Sequence, residues 1–197
     1  MPGRFVYWMN VSLDLRIEQA PGEEGGGSWL RITEALHREF NARARAMTLR
    51  VEGRVIYETM EAYWPRARDD DALADHLREY GEIWTSTPKV LVSATRTSAE
   101  HNTRVVGGDD AIDQLATIRA HGDGDIGVGG ATLATQLLRA HLLDELLLFT
   151  HPVVLGTGRP LFDDTDEPLD LDLLEHAAFD EGVTLHRYAV RGARAAG

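Results

Sequence analysis

The sequence predicts an α/β protein with a mixed, mainly parallel central sheet and an antiparallel hairpin toward its C-terminal end. Three observations carry this expectation. Short apolar runs alternate with segments of helical periodicity through most of the chain. Glycine, proline or polar turn residues bound nearly every run. Near the end the alternation stops, and two extended segments, 171–179 and 183–190, flank Asp180-Glu181-Gly182, a hairpin signal.

The elements follow in order. Residues 5–11 are apolar and aromatic-rich, as in a buried first strand. The polar stretch 12–28 contains Pro21-Gly22 and Gly25-Gly26-Gly27, and its length suits a lid or flexible connection. Ile32, Leu36, Phe40, Ala44 and Met47 recur every three or four residues, which marks an amphipathic helix. A strand over 48–52 leads through Gly53 into a helix over 55–60, and a surface helix is expected over 71–84. Strands over 89–92 and 104–106, a helix over 111–121, a strand over 126–128 and a helix over 131–141 continue the alternation. A long apolar strand over 146–155 precedes the hairpin. No internal repeat or linker divides the 197 residues, which read as a single domain, 1–197.

Composition narrows the function. A net charge of −12 is a poor match for nucleic acid, whose phosphates need a basic face. The acidic runs 69–71 and 163–175 lack the alternating ligand spacing of a calcium loop and read as solvated loops. With no cysteine, disulfides, thiolate zinc sites and cysteine nucleophiles are excluded, and the histidines show no paired metal-ligand spacing. No segment reaches the ~20 apolar residues of a membrane span, and the first residues do not form a signal peptide. A cytoplasmic protein with neither membrane, nucleic acid nor metal as partner is therefore expected.

Three turns could receive anions. Gly129, Gly130, Ala131 and Thr132 leave a buried strand and open a helix, so backbone amides face outward at the positive end of the helix dipole. The spacing approaches G-x-G-x-x-G, but Thr132 stands at the third glycine and no acid ends the next strand, which argues against a Rossmann fold. The same turn also reads as a glycine-eased strand-to-helix junction. Gly53, Arg54 and Val55 again join strand to helix, with a guanidinium that could meet a phosphate or stay solvated. Ser93, Ala94, Thr95 and Arg96 offer two hydroxyls and a guanidinium at a strand's C-terminal end, where α/β sheets collect ligands, or else a capping turn.

In this order, with Ser12-Leu13-Asp14, the segment from His37 to Asn41, Tyr57-Glu58, the strand from Lys89 to Ser93, Leu143-Asp144-Glu145-Leu146 and the segment from Pro152 to Gly158, these turns are a resemblance in themselves. The chain resembles the dihydrofolate reductase-like superfamily, and within it the subgroup related to the C-terminal reductase domain of bacterial riboflavin biosynthesis, over nearly its whole length. The resemblance implies a three-layer α-β-α fold, NADPH across the strand ends, and hydride transfer to a pteridine- or aminopyrimidine-like heterocycle or to a carbonyl or imine. It places the adenosine 2′-phosphate and ribose at Arg54 and the turn from Ser93 to Arg96. It places the pyrophosphate at the turn from Gly129 to Thr132, and the nicotinamide beside backbone groups near Val11.

Three departures bear on the chemistry. Dihydrofolate reductases carry a carboxylate where this chain has Leu36, so poor turnover of dihydrofolate is expected. Leu15 replaces the glycine usual after Ser-Leu-Asp, and Ile56 replaces a hydroxyl residue past Gly53-Arg54. Candidate proton donors or substrate anchors are then Asp14 first, with Glu58, Glu34 and, behind them, His37. Asp14 reads equally as a turn residue, Glu58 as a structural acid and Glu34 as a solvated one. Trp29 reads as a wall over the substrate or as a core anchor. The rival to an NADPH-dependent reductase is an inactive NADP-binding sensor or assembly module. A fused deaminase is not expected, because no Cys/His zinc segment precedes these elements. The apolar strand 146–155 near the C-terminal edge, with relatives that are commonly homodimers, leads to the expectation of a homodimer; burial of that strand within one chain is the alternative.

Overall fold

The computed structural model describes residues 2–19, 27–165 and 168–192. The Pro21-Gly22 pair and Gly25-Gly26 lie outside the described residues, as do two positions of the acidic run 163–175.

Strand β1 (Arg4–Ser12) alternates its side chains between two cores, Phe5, Tyr7 and Val11 to one and Val6 and Trp8 to the other. A strand apolar on both faces must lie inside a covered sheet. The sheet has eight strands in the order β5 (Thr103–Val106), β4 (Lys89–Val92), β3 (Met47–Gly53), β6 (Asp125–Gly129), β1, β7 (Leu143–His151), β10 (Thr184–Val190) and β9 (Leu171–Ala178). The first six run parallel, and β10 and β9 are antiparallel additions at one end.

Helices α1 (Glu34–Ala46), α2 (Arg54–Asp69) and α3 (Asp75–Ser86) cover one face, where Leu36, Phe40, Tyr57 and Trp84 pack on Val6 and Phe149. Helices α4 (Ala111–His121) and α5 (Ala131–Arg139) cover the other through Leu115, Leu133 and Leu137. α1 starts where expected because the Thr33 hydroxyl accepts the Leu36 amide at 3.3 Å, and its apolar positions fall on one side.

Several boundaries differ from the sequence reading. α2 does not stop near residue 60 but runs through Pro65 to Asp69. Proline reads as a stop, yet α3 packs tightly on that turn. A Cβ at Gly81 would come within 2.7 Å of the Trp64 carbonyl, so the glycine lets two backbones meet there and hold the helix. A two-strand ladder, β2 (Arg16–Glu18) with β8 (Arg159–Pro160), lies partly within the stretch read as unstructured.

The strand that motivated the homodimer is β7. It is paired to β1 on one side and β10 on the other, and Leu146, Leu147, Leu148 and Phe149 are buried by the chain itself. It presents no open edge, so that argument for pairing with a second copy falls. The outermost strand on this side is β9. No helix among the described residues is long and apolar enough to cross a membrane.

Candidate active site

The connection from β1 leads to α1 on one face of the sheet, and the connection from β6 leads to α5 on the other. Neighbouring parallel strands whose connections part in this way open a crevice at their C-terminal ends. Here the crevice is widened because the ladder between them ends at Tyr7↔Val128, while β1 continues to Ser12. Val11, wholly buried, lies on that overhang.

All three anion-receptive turns stand along the same edge, at the ends of the adjacent strands β4, β3 and β6. Gly130 caps α5 with φ +103°, a conformation that L side chains avoid, and as a glycine it brings no side-chain cap to the first amides of this helix. Ala131 is buried at the first turn, while Thr132 is exposed and its hydroxyl accepts from Arg159 at 2.7 Å. The Ser93 hydroxyl accepts the Thr95 and Arg96 amides at 3.2 and 3.0 Å, which holds the turn rigid and leaves Ala94 and Thr95 exposed. A cleft of about 410 Å³ opens beside it, lined by Ser93, Ala94, Gly107, Gly108, Ile112 and Gln136.

Arg54, next to Gly53 and the exposed Val55, reaches Glu58 at 2.8 Å. Arg96 reaches Glu61 at 2.7 Å and lies over the Tyr57 ring. Its guanidinium holds the Glu61 carboxyl below the usual range. Both guanidiniums are thus paired with acids on α2. The Arg54–Glu58 pair is exposed and therefore weak, while Arg96–Glu61 is half-buried; a phosphate dianion is the stronger partner for a guanidinium.

The expected acids do not converge on the crevice. Asp14 accepts from the Ser12 hydroxyl at 2.7 Å and from the Leu155 and Gly156 amides at 3.0 and 2.8 Å. The Ser12 bond, ahead of the amides, holds its carboxyl down at about 2. A donor at neutral pH needs a proton to give, so these bonds favour the turn-residue alternative for Asp14, with the carboxylate anchoring its loop. Glu58 belongs to Arg54 at the end of β3, two strands from β1. Glu34 is exposed, paired with Arg38 at 2.7 Å, and lowered by it. Leu36 is fully buried. His37 packs against Trp64, Tyr80 and His76 on α2 and α3, and burial lowers its pKa.

Trp29 is buried with its ring edge-on to His151 at 5.5 Å. His151 ends β7, and the sequence reading passed over it. Its Nδ1 accepts the Arg31 amide at 2.9 Å, and its Nε2 lies 3.0 Å from Asn10 Oδ1. Burial, then the Arg31 charge, pushes its pKa down to about 4. Arg159, which follows Gly158 in sequence, was also missed, although it brings a cation to the start of α5. The only signal for either residue was its nearness to a glycine- or proline-rich turn. Leu15 sits at φ +57°, the conformation that explains why a glycine is usual at this position. Among the described residues no group of three or more His, Cys, Asp or Glu is placed to hold a metal.

Comparison with known proteins identifies the family and the fold. The family model described as the RibD C-terminal domain matches residues 5–185. YyaP, an uncharacterized protein of Bacillus subtilis (strain 168), is 30% identical over 132 residues, which are 66% of this chain and 68% of that protein. A solved Shewanella sp. PV-4 protein, described provisionally as a riboflavin biosynthesis protein, has a TM-score of 0.72 at 21% identity, covering 97% of this chain and 99% of its own. Enterococcus faecalis dihydrofolate reductase, solved with NADP(H), has a TM-score of 0.60 at 12% identity, covering 95% and 96%. The fold is that of dihydrofolate reductase-like proteins, as the sequence resemblance implied.

Proposed function

Because the chain belongs to the RibD C-terminal domain family, whose fold is shared by oxidoreductases, we propose that it is an NADPH-dependent reductase of a small heterocyclic, carbonyl or imine substrate. One observation carries the reading: three adjacent strands end in anion-receptive turns along one edge, and the row leads to the crevice between β6 and β1. The residues present fit an extended dinucleotide. The uncapped amides at the start of α5, beside Gly130, suit a pyrophosphate. The turn from Ser93 to Arg96, with Arg54, suits a 2′-phosphate, and the cleft bounded by Ile112 and Gln136 suits an adenine. The overhang of β1 near Val11 keeps backbone groups free of β6 for a carboxamide.

When bound, the cofactor supplies the hydride. The chain's part is to orient the acceptor against it and to exclude water. Asp14, Glu34 and Glu58 are engaged elsewhere, so the proton comes from solvent. The buried Leu36 also keeps open a second reading, an NADP-binding sensor without turnover.

Titration calorimetry tests the cofactor, with NADPH expected to bind about tenfold more tightly than NADH, the worth of one charge-assisted contact. Equal affinities would remove the assigned role of Arg54 and Arg96. NADPH oxidation across heterocycles and carbonyls separates the two readings, since a sensor binds without turnover. Dihydrofolate is expected to be reduced poorly, and robust turnover would contradict the account given of Leu36.

A further inference from the structure

On the α1 face of the β1 overhang, strand alternation aligns Trp8, Asn10 and Ser12. Ser12 is buried and bonded to Asp14, while Asn10 is only partly buried. Asn10 Oδ1 faces His151 Nε2, and His151 Nδ1 takes the Arg31 amide. A backbone amide can only donate, so Nδ1 carries no proton and Nε2 does. The atom of Asn10 that meets Nε2–H must then be its oxygen. The relay from Arg31 through His151 to Asn10 therefore fixes one tautomer and one amide orientation.

The same relay leaves the Asn10 amide nitrogen, with two protons, bonded to no described residue, on the strand that borders the crevice. The Trp29 ring, which carries a second donor, packs against the same histidine. The Trp29 indole nitrogen is buried and has no partner, an arrangement that costs free energy unless an acceptor arrives from outside. Among the described residues the candidate acids Asp14 and Glu34 are engaged with other partners, and Leu13 and Val154 leave exposed apolar surface on the two loops joined by the Leu13 amide and the Val153 carbonyl.

We propose, resting on the reductase reading above, that Asn10 and Trp29 form a donor-only substrate site, with His151 as its positioning residue. The ligand is a neutral, flat carbonyl compound whose oxygen accepts both N–H groups. A basic heterocycle that needs a carboxylic acid to protonate it finds none free among the described candidate acids Asp14, Glu34 and Glu58. Hydride with its electron pair goes to the carbonyl carbon as the reduced nicotinamide is oxidised, the C=O π bond breaks, and water protonates the oxygen held by the donors.

The probes are isatin, a flat neutral dicarbonyl, and 3,4-dihydroisoquinoline, a basic cyclic imine without oxygen. Both are titrated by NMR into ¹⁵N-labelled protein saturated with NADP⁺. Isatin is expected to shift the Asn10 side-chain amide and Trp29 indole signals and to bind at least tenfold more tightly than the imine. Asn10→Asp keeps an acceptor for His151 Nε2–H but removes the free donor. It is expected to weaken isatin tenfold or more, with thermal stability and NADPH affinity nearly unchanged. His151→Ala is expected to weaken isatin as well. His151→Gln, whose amide can accept from Arg31 and donate to Asn10, restores part of the affinity, which a merely structural role would not require. Silent Asn10 and Trp29 signals in protein that binds NADPH would overturn this proposal alone, as would equal isatin binding by Asn10→Asp or tighter binding of the imine. Failure to bind NADPH would overturn the reductase reading and this proposal together.

Discussion

The two edges of the parallel sheet are built in opposite ways. At the edge where the strands begin, charges are paired and largely buried. Arg119 grips Asp144, which also accepts the Phe5 amide at 2.7 Å, and Arg187 bridges Asp125 and Glu145, with Arg4 joining them. At the edge where the strands end, Gly53 and Gly130 start α2 and α5 without a side-chain cap, and two buried or half-buried N–H donors have no described partner. The starting edge uses its polar groups to hold the fold, and the proposed reading gives the uncapped amides and the two donors of the other edge to a ligand. The division predicts that substitutions at the starting edge change stability without changing cofactor affinity, and that those at the cofactor turns of the ending edge do the reverse.

The largest effect is expected from Asp144→Ala. It removes the carboxylate that joins Arg119 to the Phe5 amide, a loss of about 3 kcal/mol, and should lower the melting temperature by roughly 10 °C. NADPH affinity measured below the transition should stay within twofold. A drop in affinity comparable to the loss of stability would show that the edges are not independent.

The pH dependence comes next. His151 is held near 4, against ~6.5 for an unfolded histidine. Between those values the unfolded chain binds more protons, so this contribution is complete above pH 6.5 and is lost as pH falls through 4. Its size is on the order of 3 kcal/mol. His37, also lowered by burial, acts in the same direction. Urea denaturation at pH 7 and pH 4.5 should show a smaller loss for His151→Gln than for the native chain, and an equal loss would place the acid sensitivity elsewhere.

Arg54→Ala should weaken NADPH about tenfold and NADH by less than twofold, with little change in melting temperature, because its pair with Glu58 is exposed. Parallel loss for both cofactors would move the 2′-phosphate away from Arg54. The smallest effect is expected from Leu15→Gly. Relief of the left-handed backbone is offset by the greater freedom of an unfolded glycine, so stability should change by at most about 1 kcal/mol. A large loss would mean that the half-exposed Leu15 side chain carries packing the fold needs.

What the sequence made legible divides along similar lines. Local signals were readable: α4 begins and ends where its periodicity says, and Gly53, Ser93 and Gly129 each close a strand as expected. The candidate cofactor turns could be named because each lies within a few consecutive residues. On the proposed substrate side Trp29 could be named in this way, but its partners could not. Asn10 and His151 are 141 positions apart and meet only because β1 and β7 are neighbours in the sheet. Arg159 and Thr132 are joined across 27 positions by the loop after β7. β7 was misjudged as open for the same reason, since an apolar strand does not say how many partners cover it. Asp14 was placed near the right strand, but its role depended on the amides of Leu155 and Gly156, far along the chain.

The most direct test of the central claim is amide hydrogen exchange with and without saturating NADPH. The account predicts added protection in the turn from Gly129 to Leu133, at the start of α2, in the turn from Ser93 to Arg96 and along the β1 overhang, with no change at the first residues of β1, β6 and β7. Protection at the starting edge, or none at the three turns, would contradict it.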